Sequence, residues 1–113
     1  MPNIFPFDAD TDHLRHTITL KSDRGGPEPS ITLDVVGGMA TFYLYFPVAT
    51  TTMTQCRILA LATHLCKEFN WDARVTLPQE LDRPSLSEFL TEYEGYTRAP
   101  NTQWTLVKLT SQN

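Results

Sequence analysis

Residues 31–69 read ITLDVVGGMATFYLYFPVATTTMTQCRILALATHLCKEF, and this run decides the fold. Ile31, Leu33 and Val35 alternate with Thr32 and Asp34, the period-two pattern of a strand with one apolar face. Gly37-Gly38 then separates two β-rich runs and predicts a two-residue hairpin turn, whose central residues need positive φ. The returning strand, Met39 to Phe46, places Phe42, Leu44 and Phe46 inward and Thr41, Tyr43 and Tyr45 outward. Pro47 ends it. One threonine of Thr50-Thr51-Thr52 is positioned to cap a helix reaching about Phe69. The stripe of that helix is Ile58, Leu61, Ala62, Leu65 and Phe69, widened by Leu59 and Cys66. Arg57, His64, Lys67 and Glu68 fall on its wet side.

Upstream of this run, Leu14 to Lys21 reads as a strand with Leu14, His16, Ile18 and Leu20 on one face. Gly25-Gly26-Pro27-Glu28-Pro29 is a loop, and residues 1–12, with two prolines and three aspartates, form an irregular acidic arm. Downstream, Ala73 to Leu77 is a short strand closed by Pro78. Ser85-Leu86-Ser87-Glu88 fits a capping box for a second helix carrying Leu86, Phe89, Leu90 and Tyr93. Gly95 stops that helix, and Gln103 to Thr110 is the last strand. The predicted class is α+β: a single domain over residues 1–113 in the order β-β-β-α-β-α-β. Its mainly antiparallel sheet carries both helices on one face.

At 113 residues the chain suffices for one core without metal or disulfide staples. Its net charge of −4 opposes non-specific binding to nucleic acid or to anionic membranes. No stretch approaches the ~20 apolar residues of a membrane span, and the Met1-Pro2-Asn3-Ile4-Phe5-Pro6 start has no signal-peptide character. Cys56 and Cys66 are ten residues apart on the predicted helix, or ~15 Å, too far for a disulfide. Two reduced, largely buried thiols point to a cytoplasmic protein.

Motifs for chemistry are sparse. Asp8, Asp10, Asp12, His13 and His16 are the densest set of metal-ligand types. The D-x-D-x-D spacing opens like a calcium loop, but the sixth position is His13 instead of glycine and the twelfth is Thr19 instead of glutamate. Zinc on His13 and His16 lacks a third ligand at suitable spacing. A metal-binding domain or metal-dependent enzyme on this cluster is therefore a minor alternative. There is no G-x-S-x-G elbow, and His64 and Cys66, two apart on a helix, diverge. Neither glycine pair has the spacing of a phosphate cradle. The expectation is a protein without catalytic activity or cofactor.

Two surfaces remain as binding candidates. The outward sheet face gathers Arg15, Lys21, Tyr43 and Tyr45 among threonines, and tyrosines interleaved with cations can stack single-stranded bases. The acidic chain makes this a secondary candidate. The stronger signal runs from Gln79 to Glu94, where Glu80, Asp82, Glu88, Glu92 and Glu94 face one base, Arg83. Five acids less one base is −4, the charge of the whole chain, so all other charges balance. Glu88 and Glu92 repel at i,i+4, and Glu92 and Glu94 sit at the negative helix end, so local stability favours neither. These residues, with Tyr93 and Tyr96 as anchors, predict a protein-interaction module that docks on a basic surface. Basic surfaces characterise nucleic-acid-handling proteins, so the sharper expectation is an inhibitor of immunity or anti-defence type, without direct nucleic-acid or membrane contact. A homodimer through an exposed Phe42 or Leu44 edge is left open.

Overall fold

The computed structural model describes residues 7–8, 13–22 and 24–109. They form β1 (Phe7–Asp8), β2 (His13–Thr19), β3 (Ser30–Val36), β4 (Met39–Tyr45), α1 (Thr52–Glu68), β5 (Asp72–Thr76), α2 (Arg83–Tyr93), β6 (Thr97–Arg98) and β7 (Thr105–Lys108). One sheet takes every strand in the order β1-β2-β3-β4-β5-β7-β6. All pairings are antiparallel except β4–β5. A parallel pair cannot be joined by a tight turn, and α1 is the crossover that joins this one. The α+β class and the alternation of the longer strands with two helices are those predicted.

The central hairpin forms as its residues demand. Gly37 and Gly38 both have positive φ, 58° and 80°. The turn fixes the register Val35↔Ala40, Leu33↔Phe42 and Ile31↔Leu44, which brings the apolar alternates of both strands to one face. Onto that face α1 lays Ile58, Leu59, Ala62 and Cys66, and α2 adds Leu86 and Leu90, all fully buried with Ala73, Val75 and Leu106 of the sheet. Thr51 is the N-cap of α1, its hydroxyl accepting from the Thr54 N–H. The opposite sheet face carries no helix and is stitched by cross-strand hydroxyl pairs, Thr17–Thr32 at 2.9 Å and Thr76–Thr105 at 2.8 Å.

Several local expectations change. Phe7–Asp8 pairs with β2 where an irregular arm was expected, and the rest of residues 1–12 lies outside the described residues. The capping box at Ser85 is not the start of α2. Asp82 caps it three residues earlier, accepting from the Ser85 N–H, and Pro84 occupies the first turn, where a missing N–H does no harm. β6 was not foreseen, because a two-residue strand carries no period. Leu61 and Phe69 were assigned to the buried stripe of α1 but are 48% and 59% exposed. Phe69 is already the C-cap, stacked on Trp71 with ring centroids 4.9 Å apart. Leu61 faces the β2 flank, which α1 covers only in part; His16, opposite Leu33 on the helix side of the sheet, is exposed for the same reason. The Phe42 route to a homodimer is closed, since β4 is an interior strand and Phe42 is buried.

The contrast between Ile58 and Leu61 gives a direct check on how α1 is seated. Ile58→Ala should destabilise the domain by about 2–5 kcal/mol, whereas Leu61→Ala should cost about 1 kcal/mol or less. Urea unfolding of both variants measures the difference, and equal losses would mean that α1 is rotated from this seating.

Candidate functional site

The acidic segment is built around α2. Leu86, Ser87 and Leu90 face the core, which turns Glu88 and Glu92 to solvent on the opposite side. Tyr93 is 77% exposed and packs on the half-buried Phe89 ring, centroids 6.0 Å apart. Glu80 is exposed on the approach to the helix, and Glu94 is its C-cap, followed by Gly95 at φ +81°. None of the five acids makes an ion pair among the described residues. Arg83, the segment's single cation, is held elsewhere: its Nε donates to the Leu77 and Pro78 carbonyls at 3.0 and 3.1 Å, and its guanidinium lies over the Trp104 ring. The result is an unneutralised acidic face with an exposed aromatic at its C-terminal end.

Two of the residues expected on that face serve other ends. Asp82 is exposed, but its carboxylate caps α2. Tyr96 is no anchor for a partner. It is 2% exposed, and its hydroxyl shares a 2.7 Å hydrogen bond with Thr63 of α1. Burial pushes its phenol well above the usual tyrosine range, against the opposing pull of the Thr63 bond. The Tyr96 N–H also donates to the Leu90 carbonyl, so the chain turns back into the core directly after Gly95. The residues of the expected face that remain on the surface of the acidic segment are therefore Glu80, Glu88, Glu92, Tyr93 and Glu94.

The secondary face is only partly assembled. Tyr43 and Tyr45 are exposed on the open side of the sheet, and Arg15 joins them there. Arg74, absent from the predicted set, belongs to the same face and donates from Nη2 to Thr41 at 3.2 Å. Its neighbour across the ladder comes from the parallel pairing, which no local signal in the sequence announces. Lys21 does not belong there: it lies beyond the end of β2, in the connection to β3, beside α1.

Of the metal-ligand candidates, Asp10, Asp12 and the side chain of Asp8 lie outside the described residues. His13 and His16 sit on opposite faces of β2 and cannot share an ion. His13 instead meets Asp34, Nε2 to Oδ1 at 2.5 Å, with Arg15 Nε 3.7 Å from the same oxygen. The His13 hydrogen bond outweighs burial and, with the nearby charges, holds the Asp34 carboxyl below its usual range. Among the described residues no group of three His, Cys, Asp or Glu is placed to hold a metal ion. Cys66 is buried in the core, which pushes its thiol up to about 12, while Cys56 is half-buried and raised by burial and by the Asp82 charge. Neither thiol has the lowered pKa of an activated nucleophile. No helix among the described residues is long and apolar enough to cross a membrane.

No protein-family model matches this sequence, and no curated protein does. A solved structure does match in shape. Anti-CRISPR protein AcrVA5 superposes with a TM-score of 0.52 over 81% of this chain and 97% of its own, at 8% sequence identity. At that identity the likeness is one of fold.

Two measurements probe these side chains. Tyr96→Phe should cost about 1–3 kcal/mol, because it strands the Thr63 hydroxyl in the core, and adding Thr63→Val should recover much of the loss. If the double variant loses as much as the two singles together, the hydroxyl pair is not the linkage. The second is acid unfolding of wild type against Asp34→Asn. A carboxylate whose folded pKa is depressed stabilises the fold in full above its ordinary value of 3.8 and loses that contribution as pH falls through the lower folded value. The two proteins should therefore differ at neutral pH and converge at the acid end, and parallel curves would refute the assignment.

Proposed function

We propose that this chain is a non-catalytic, cytoplasmic interaction module of anti-defence type, which inhibits a nucleic-acid-handling protein by occupying a basic surface with α2. The observation that carries the reading is the concentration of the chain's whole net charge on one segment whose acids make no ion pair among the described residues. Among the described residues Glu80, Glu88, Glu92 and Glu94 stand free of ion pairs around α2, and Tyr93 projects from the end of the same helix. Such a face raises the rate of encounter with a cationic surface, and an exposed aromatic beside it supplies contact area at low entropic cost. A protein of similar fold that bears the description anti-CRISPR is compatible with an anti-defence role. The free thiols suit action in a reducing compartment.

Affinity capture from native lysate, followed by titration of the purified partner, tests this reading. Wild type should hold a protein with a basic surface, with an association rate that falls as salt is raised. Glu88→Lys/Glu92→Lys, altering two solvent-exposed positions, should remain folded and bind about 30-fold more weakly, the equivalent of about 2 kcal/mol. Unchanged affinity in the variant would remove α2 from the interface.

A further inference from the structure

A second site lies on the other flank of α1, away from α2. The β2–β3 connection and the first turns of α1 enclose a groove of about 800 Å³. Its polar lining is Lys21, Ser22, Thr50, Thr51, Thr54 and Arg57, and Leu20, Leu61 and two prolines provide apolar wall. Among the described residues no aspartate or glutamate lines it. Glu28, in the same connection, turns its carboxylate onto the Ser22 N–H.

Three independent features give this groove a preference for an oxyanion. The Lys21 and Arg57 side chains make no ion pair or hydrogen bond among the described residues, as is true also of Arg24, Lys67 and Lys108, so both cations are available to a ligand in the groove that they line. The Thr50 side chain is only 8% exposed, and its Oγ1 finds no hydrogen-bond partner among the described residues. A buried hydroxyl left this way costs free energy, and a ligand oxygen removes that cost. The third feature is α1 itself, a 17-residue helix with no acid in its first turn to offset the positive end of its dipole. Thr54 adds a donor: its Oγ1 accepts from the Thr51 hydroxyl at 2.9 Å, which leaves its own proton to give.

We propose that this groove binds a phosphate monoester, with phosphoryl oxygens on Lys21, Arg57 and the Thr50 and Thr54 hydroxyls and the organic part against Leu20 and Leu61. Two cations and two hydroxyl donors match the acceptor-rich phosphoryl group, and the concave apolar wall suits a small organic body. The site shares no residue with the acidic face of α2, so it stands or falls separately from the inhibitory reading.

Backbone amide NMR of the full chain tests the site, with phenyl phosphate and inorganic phosphate as probes at an ionic strength held constant with chloride. Phenyl phosphate should give saturable shifts at Ser22 and Thr50–Thr54 and bind several-fold more tightly than inorganic phosphate. Lys21→Gln/Arg57→Gln changes only exposed side chains and should weaken that binding at least 10-fold. Thr50→Val should raise the melting temperature, since it removes an unpaired buried hydroxyl, and weaken binding at the same time. Equal affinity for the two probes would overturn the monoester assignment, and non-saturating shifts, or a double variant that titrates like wild type, would overturn the site.

Discussion

The parallel ladder between β4 and β5 is the constraint from which the rest of the architecture follows. Met39–Phe42 aligns with Asp72–Val75, so the chain has to leave the end of β4, return across the sheet and start again in the same direction. A helix of 17 residues, about 25 Å long, makes that return. Its seating over the centre of the sheet buries Ile58, Leu59, Ala62 and Cys66 against Ile31, Leu33 and Phe42. α2 packs beside it and adds Leu86 and Leu90 to the same core. Two helices do not span so wide a sheet. Among the described elements the inner side of β2 is covered only in part, which is why Leu14, Ile18 and Leu20 are only partly buried, and why a groove exists beside α1.

The turn that leaves α2 is tied to α1 by a polar contact. Thr63 and Tyr96 share a buried hydrogen bond, while Ser87 Oγ, also buried, has no partner among the described residues. A hydroxyl pair in this position is directional, so it fixes how the end of α2 meets α1 in a way that interchangeable apolar contacts do not. It also separates the work of neighbouring residues. Tyr96 is committed to the core, and Glu92, Tyr93 and Glu94, immediately before it, are left on the outside. The acidic face is held by residues that are not part of it.

The sequence made the central elements legible because each carried two agreeing signals. The alternation in residues 31–46 came with a Gly-Gly turn, and the helical stripe came with a threonine cap and a preceding proline. What it concealed was of a different kind. Nothing local says that β5 lies against β4 or that β7 slots between β5 and β6, so Arg74 could not be placed beside Thr41 and Tyr43. Tyr96 looked like a surface aromatic because it follows a run of acids, and only its path back across Gly95 puts its ring in the core. Lys21 was assigned by extending the strand period two residues too far; β2 stops at Thr19, and past that point alternation no longer says which way a side chain points. The Asp34–His13 pair was accessible in principle, as both residues project from the same face of adjoining strands, but it needs the register to be known first.

The far edge of the sheet carries one more consequence. β6 is only Thr97–Arg98, the next residue spends its N–H on the Thr105 carbonyl, and Pro100 after it has none to offer. That margin presents almost no free backbone to an incoming strand, so it does not template stacking of one copy on another. The β6 edge is therefore a poor seat for strand addition, even where copies of the chain are crowded together.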